Sequence, residues 1–402
     1  MTTQYLIIAD DYTGANDTGI QMKKRGIAVD VLLTPTSHSN SIVLDTESRN
    51  LCADEAYLKV KKMTSEVYSL GKFDIVYKKV DSTLRGNIAQ EIKAVADIFH
   101  PDIIVFAPAF PKLNRITKNG KQYLNGQLLM NTELTKDPLS PIITDDLTVI
   151  LQQAFKEQVY YHPISELEGN TFSIKDGYLH IVDIAADKHI AKLSEILLNL
   201  NKRILYVGSA GLAEGIFNSL YPTDPVLGVV ASISQVSIDQ INYAESEGIN
   251  IVKIEPADIF DSKTYDNYIE RISFLLSQKN DVIITTCKSK KDYEKTLSVS
   301  KNNGFSSYDT ANKVKACLAY IVDSVLKKSN ITGLFLTGGD TAVNIVSKIN
   351  AAGCSIKQEI SPGIVMSNLI HEEYGDIKVI TKAGAFGNEK DLVISINKLK
   401  EK

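Results

Sequence analysis

The chain has 402 residues, with 44 lysines and arginines against 48 aspartates and glutamates, for a formal net charge of −4. That balance excludes a surface built for nucleic acid or an anionic membrane, both of which need clustered positive charge, and directs attention to small molecules as partners. The length exceeds what one hydrophobic core usually serves, so two domains are expected. In chain order, short β-rich apolar runs alternate with segments of helical period: YLIIA, the helix TGIQMKKRG, VDVLLT, SIVLD, FDIVYKKV, the helix QEIKAVADIF, then DIIVFAP. This alternation predicts an α/β fold of βαβ units around mostly parallel sheets. The polar, glycine-bearing segment 111–126 is too long for a turn and is expected to be a binding loop. Strands at 179–184 and 203–207, with the helix ADKHIAKLSEILLNL between them, complete the first domain. The prolines of Tyr221-Pro222-Thr223-Asp224-Pro225 interrupt both periodicities, so residues 1–222 and 226–402 are expected to form separate domains. The second holds the strands VLGVVAS, NIVKI, DVIITT, GLFLT, PGIVMS and IKVITKA, with helices such as ANKVKACLAYIVDSVLKK.

Function in such a fold belongs at the carboxyl ends of the strands, which share one rim. In the first domain Asp10 and Asp11 stand directly after YLIIA, and Lys79, Asp81, Ser82 and Arg85 stand at or just beyond the end of IVYKK. Side chains alternate along a strand, so Lys79 and Asp81 face one side and Lys78 the other. Arg85 suits a carboxylate through its planar fork, Asp81 suits proton acceptance from a hydroxyl with Asp11 as competitor, and Arg49 adds a second anion contact. Helix capping is the plain alternative for Asp11 and Ser82.

The second domain offers turns rather than an acid/base set. Gly338-Gly339-Asp340-Thr341 breaks the run LFLTGGDTAVNIV, where a strand entering a helix leaves free N–H groups able to hold a phosphate. Ser232 and Ser234 end another strand, and Gly384 and Gly387 follow a third, so three loops are placed to wrap one nucleotide. The sequence contains no GxxxxGK[ST], and Gly208, Gly211 and Gly215 do not form GxGxxG, which argues against a Walker-type NTPase and a standard Rossmann dehydrogenase. The six histidines and four cysteines show no metal-ligand spacing, no metal site is expected, and Cys52, Cys287, Cys317 and Cys354 are read as buried thiols. The amino terminus has no basic and apolar leader, and no apolar run reaches membrane-spanning length, so a cytoplasmic enzyme is the expectation.

Taken in order, IIADDYTGANDTG, KKVDSTLRGN, APAFPKLNRITKNGKQYLNG, VGSAGLAEG, LTGGDTA and TKAGAFGN make the chain resemble the four-carbon acid sugar kinase family nearly end to end. The resemblance implies an acid-sugar domain, an ATP domain and an active site in the cleft between them. Asp10, Asp11, Lys79, Asp81 and Arg85 would belong to the sugar side, and Ser232, the 338–341 turn and Gly384 to the ATP side. It implies phosphorylation of the terminal hydroxyl of a D-threonate, D-erythronate or 3-oxo-tetronate type of acid, with Mg2+ bridging the ATP phosphates. The chain departs from the family at Val230-Ala231-Ser232-Ile233-Ser234 and at Ala383-Gly384-Ala385-Phe386-Gly387, where Ala385 adds a methyl group. A kinase of another small hydroxy acid or polyol, and a non-catalytic sugar-acid sensor, are the alternatives. Stereochemistry and oligomeric state are open at this point, an oligomer included.

Overall fold

A computed structural model of the chain describes residues 4–36, 40–174, 177–374 and 377–402. The chain divides into two compact units, Met1–Pro222 with Lys402, and Thr223–Glu401. In the first, the apolar runs form β1 (Tyr5–Ala9), β2 (Val29–Leu32), β3 (Ser41–Asp45), β4 (Ile75–Lys79) and β5 (Ile103–Ala107). There follow β6 (Arg115–Lys118), β7 (Lys121–Leu124), β8 (Gln127–Leu128), β9 (Val159–His162), β10 (Leu179–Val182) and β11 (Ile204–Gly208). Eight of these make one sheet in the order β2-β3-β1-β4-β11-β5-β10-β9, with every pair parallel. Strands buried on both faces read as continuous apolar runs. Thus Leu6 and Ile8 enter one core layer, while Tyr5, Ile7 and Ala9 enter the other. The chain leaves β1 toward β2 on one side and leaves β3 for β4 on the other, so the winding reverses at β1, and its carboxyl end is where such a fold places a ligand crevice.

Segment 111–126 is a built structure and not the irregular loop expected, although Leu113 and Arg115 from it do line a cavity. After a short 3-10 turn, Pro111–Leu113, it forms two tight hairpins of an antiparallel sheet, β6-β7-β8. Asn119-Gly120 and Asn125-Gly126 make the turns, with φ of 54°, 69°, 50° and 81°. Asn-Gly is the pair that tolerates this left-handed backbone in a two-residue hairpin, and the signal stood in the sequence.

The second unit contains β12 (Val226–Val230), β13 (Asn250–Lys253), β14 (Val282–Thr285), β15 (Gly333–Thr337), β16 (Gly353–Ser361), β17 (Ile364–Ile370) and β18 (Lys378–Lys382). Their order is β13-β14-β12-β15-β18-β17-β16, parallel except that β17 runs against both its neighbours. β12 lies between β14 and β15, so this sheet too has a point of divergence, beside Ser232 and Gly338. The edge strand β16 is mostly exposed and polar, which hid it from a search for apolar runs. Two cysteines correct the sequence reading: Cys287 and Cys317 are buried, but Cys52 and Cys354 are exposed. Cys52 precedes the helix Ala53–Ser69 at its solvent end, and Cys354 lies on that edge strand. Among the described residues, no helix is long and apolar enough to cross a membrane.

Candidate active site

Directly after β1 the chain turns into the helix Tyr12–Lys23, whose first turn Asp11 caps by accepting from the Gly14 N–H at 3.1 Å. Capping therefore operates here, and it also fixes Asp11 on the rim. Arg49, beyond β3, lays the Nε/Nη2 edge of its guanidinium across both acids, donating to Asp10 Oδ2 at 2.6 Å and to Asp11 Oδ1 at 2.6 Å. Asp10 is buried behind that arginine, and its Oδ1 has no partner among the described residues.

β4 delivers two lysines to opposite faces, as the pleat requires. Lys78 is buried in an ion pair with Glu91 at 2.7 Å. Lys79 instead lines a cavity of about 310 Å3 together with Asp11, Arg49, Asp81, Ser82 and Arg85. Among the described residues the Lys79 ammonium makes no hydrogen bond or ion pair, although its charge acts on Asp11 through space. Their closeness is visible at Gly14, where a methyl group would stand 2.4 Å from Asp11 Oδ1 and 2.7 Å from Lys79 Nζ.

The turn after β4 spends its charges internally. Asp81 Oδ2 accepts from the Thr83 hydroxyl, from Arg85 Nε at 2.8 Å and from the Arg85 N–H at 3.3 Å. Arg85 Nη2 lies 3.4 Å from Asp81 Oδ1, and Nη1 lies 3.6 Å from Asp137. Burial raises the Asp81 carboxyl, but Arg85, Arg49 and Thr83 outweigh it and hold it down to about 2. Asp11 moves the other way: burial and the charge of Asp10 raise it more than Arg49 and Lys79 lower it. The two carboxylates are thus driven apart, the usual mark of a division of labour in a site.

Of the first-domain candidates, Asp10 alone stays out of this cavity. Arg115 of β6 enters it unforeseen, and so does Ser209, which caps the helix Ala210–Leu220. Arg115 was within reach of the sequence, since it lies in the segment read as a binding loop.

In the second unit a cavity of about 420 Å3 opens at the carboxyl ends of β12, β14 and β15. Gly338 takes φ 90°, a conformation glycine adopts without strain, and the helix Gly339–Lys348 starts behind it with no side-chain cap. Its first N–H groups are therefore available to an anion. Gly338, Asp340, Thr341, Ser232 and Gly384 line the cavity. A methyl group at Gly384 would lie 2.5 Å from Ser232 Oγ, so Ser232 would have to move to admit it.

Gly339, Ser234 and Gly387 do not line it. Gly339 is the first helical residue, and Ser234 caps the helix Gln235–Ser246 while donating to the Gly384 carbonyl at 2.6 Å. Gly387, at φ 83°, turns the loop against Asp391. Lys382, unassigned from sequence, sits buried beneath the loop and donates to the carbonyls of Ala383, Gly384 and Phe386 at 3.2, 3.1 and 3.0 Å. Burial brings its ammonium down to about 8. The rest of the wall is mixed, with Leu297 and Val314 from two helices beside Thr296, Ser307 and Thr310, and Lys315 approaches Asp340 at 3.8 Å. Nothing in local sequence marked these three, because a helix residue reaches a site only through packing. No group of three or more metal-capable side chains occurs among the described residues.

Comparison with known proteins finds a match for each unit. The family described as Sugar-binding N-terminal domain matches residues 5–216, and that described as Nucleotide-binding C-terminal domain matches residues 227–392. A crystal structure of a domain of unknown function from Bordetella bronchiseptica, with bound citrate and described as a domain-swapped dimer, has the same fold. It aligns with a TM-score of 0.64 and 23% identity, covering 100% of this chain and 99% of that one. The class is therefore a two-unit α/β protein joining a sugar-binding to a nucleotide-binding half. The D-threonate kinase of Salmonella typhimurium is 30% identical, over 98% of this chain and 98% of its own. The D-erythronate kinase of Heliobacterium modesticaldum is 27% identical over 95% and 94%, and the 3-oxo-tetronate kinase of Actinobacillus succinogenes 23% over 95% and 96%. The chain belongs to the four-carbon acid sugar kinase family.

Proposed function

We propose that this chain transfers the terminal phosphoryl group of ATP to the terminal hydroxyl of a four-carbon sugar acid, of the D-threonate, D-erythronate or 3-oxo-tetronate type. The observation that carries this reading is the convergence of Asp11, Lys79, Asp81, Arg49 and Arg85 on one cavity sized for a small polar molecule. The second unit supports it with a glycine turn at a helix start beside a wall that carries Leu297, Ala311 and Val314, which suit phosphates and a base respectively.

Within the first cavity we assign proton acceptance to Asp11. Asp81 was the first choice from sequence, but its carboxylate is committed to Arg85 and Thr83 and held near 2, which makes it a poor base. Asp11 has the raised affinity for a proton that the task needs. Lys79, which no carboxylate of the described residues neutralises directly, offsets negative charge on the attacking oxygen and the transferring group. The nucleotide phosphates lie over the 338–341 turn and Gly384, with Lys315 alongside. Asp340, whose side chain is 90% exposed at the rim, would be the protein carboxylate to hold a magnesium ion, which when bound would supply charge neutralisation to the phosphates. Transfer further requires the hydroxyl and the phosphorus to be in line and water to be excluded.

A coupled assay of ADP release over D-threonate, L-threonate, D-erythronate and 3-oxo-tetronate tests the proposal. Release with at least one, absent without it, is the expected result. Binding of such an acid by calorimetry with no ADP formed in any case would overturn it and make the chain a sensor.

A further inference from the structure

Three arginines line the first cavity, and they differ in one respect. Arg49 gives its Nε/Nη2 edge to Asp10 and Asp11, and Arg85 gives the same edge to Asp81. Arg115 gives that edge to nothing among the described residues. Its Nη1 donates to the Leu113 carbonyl at 2.7 Å, its Nε is buried without a partner, and no carboxylate pairs with it. A buried Nε–H left without a partner is costly, and a carboxylate is the group that matches the two parallel N–H bonds of a guanidinium edge.

The backbone holds this side chain in place. The Phe110 N–H donates to the Arg115 carbonyl at 2.7 Å, and the Arg115 N–H returns a bond to Phe110 at 3.2 Å. Asn114, in the left-handed region at φ 56°, turns the chain into β6 just before it, and the Asn-Gly hairpin at 119–120 fixes the pairing beyond. An arginine whose backbone is anchored on both sides and whose third nitrogen is already bound has little freedom left to lose when a ligand arrives.

We infer that Arg115, on the small antiparallel sheet, is the residue that binds the substrate carboxylate and so selects sugar acids over neutral polyols. Arg85, given that role by the sequence, serves to hold Asp81. The inference rests on the proposed reading of the cavity as the acid-sugar site. It predicts that removal of the open edge weakens the acid and spares the nucleotide.

The test compares the full-length chain with Arg115→Met and Arg115→Lys. With the best four-carbon acid, Arg115→Met should raise KM about 100-fold and leave KM for ATP within about twofold, consistent with loss of a charge-assisted bidentate pair. Arg115→Lys keeps the charge without the edge and should recover only part of the loss. Added guanidinium ion should restore acid turnover in the methionine variant. Preference for the acid over its amide should also fall in both variants. Unchanged KM for the acid, or equal losses for acid and ATP, would overturn the inference, and Arg115→Lys alone decides it should the methionine variant not fold. If the wild-type chain forms no ADP with any of these acids, the kinase reading fails separately. Calorimetric binding of the acid then judges Arg115: loss in the variants upholds it, and undiminished binding refutes it.

Discussion

The two cavities offer cationic and donor groups in opposite ways. In the first unit the anion-facing groups are side chains, three arginines and a lysine set among carboxylates. In the second they are mostly backbone, a glycine turn and a loop propped from beneath, with Lys315 the cation on the wall. The difference follows from the ligands proposed for each. A small acid must be told from its neutral analogues, which needs directed charge, whereas a polyphosphate already carries ample charge and needs an array of N–H donors at a fixed spacing. Substituting charges should therefore damage the first cavity, and adding a methyl group should damage the second.

The largest effect expected lies at Asp11. Asp11→Asn should lower kcat by about 10²- to 10⁴-fold, the usual worth of a general base, with KM for ATP little changed. A comparable collapse in Asp81→Asn with full activity retained in Asp11→Asn, read by steady-state ADP release, would reverse the roles given to the two acids. Next, Lys79→Met should reduce kcat/KM for the acid by roughly 10- to 100-fold through loss of a charge positioned for the transition state. Equal damage to nucleotide binding, measured directly by calorimetry, would blur the contrast between the cavities. In the second unit, Gly384→Ala forces a methyl group toward Ser232 Oγ and should raise KM for ATP on the order of 10-fold while acid binding is unchanged.

The smallest effect concerns the scaffold beneath the charged cavity. Asp45, at the end of β3, is pushed up to about 6 by burial and by Glu47, and its Oδ2 has no partner among the described residues. Its folded value lies above the unfolded one, so the folded chain binds the proton more tightly, and stability falls as pH rises from about 4 to 6. Asp45→Asn should accordingly raise stability at pH 7.5 by about 1 kcal/mol, and that advantage should shrink by pH 4.5. Melting temperatures at the two pH values check the sign.

Much of the architecture was legible because its signals are local. Apolar runs such as YLIIA and GLFLT are strands wherever a parallel sheet buries both faces, and Lys79 parted from Lys78 by pleat alone. The meander at β6 to β8 was equally readable from Asn119-Gly120 and Asn125-Gly126, whose turn chemistry outranks the length of the segment. β16 gave no apolar signal, since an exposed edge strand does not need one.

The amino-acid order by itself determined the α/β alternation, the family, and which strand ends carry charge or glycine. It could not say how those charges are spent. Arg49, Arg85 and Arg115 are alike as residues, and only the folded chain decides that two of them face aspartates while the third keeps an open edge. The same holds for Asp11 and Asp81, whose proton affinities are set by burial and by neighbours from other strands. Pairing and desolvation act through space between distant segments, and that is why tertiary structure had to decide them.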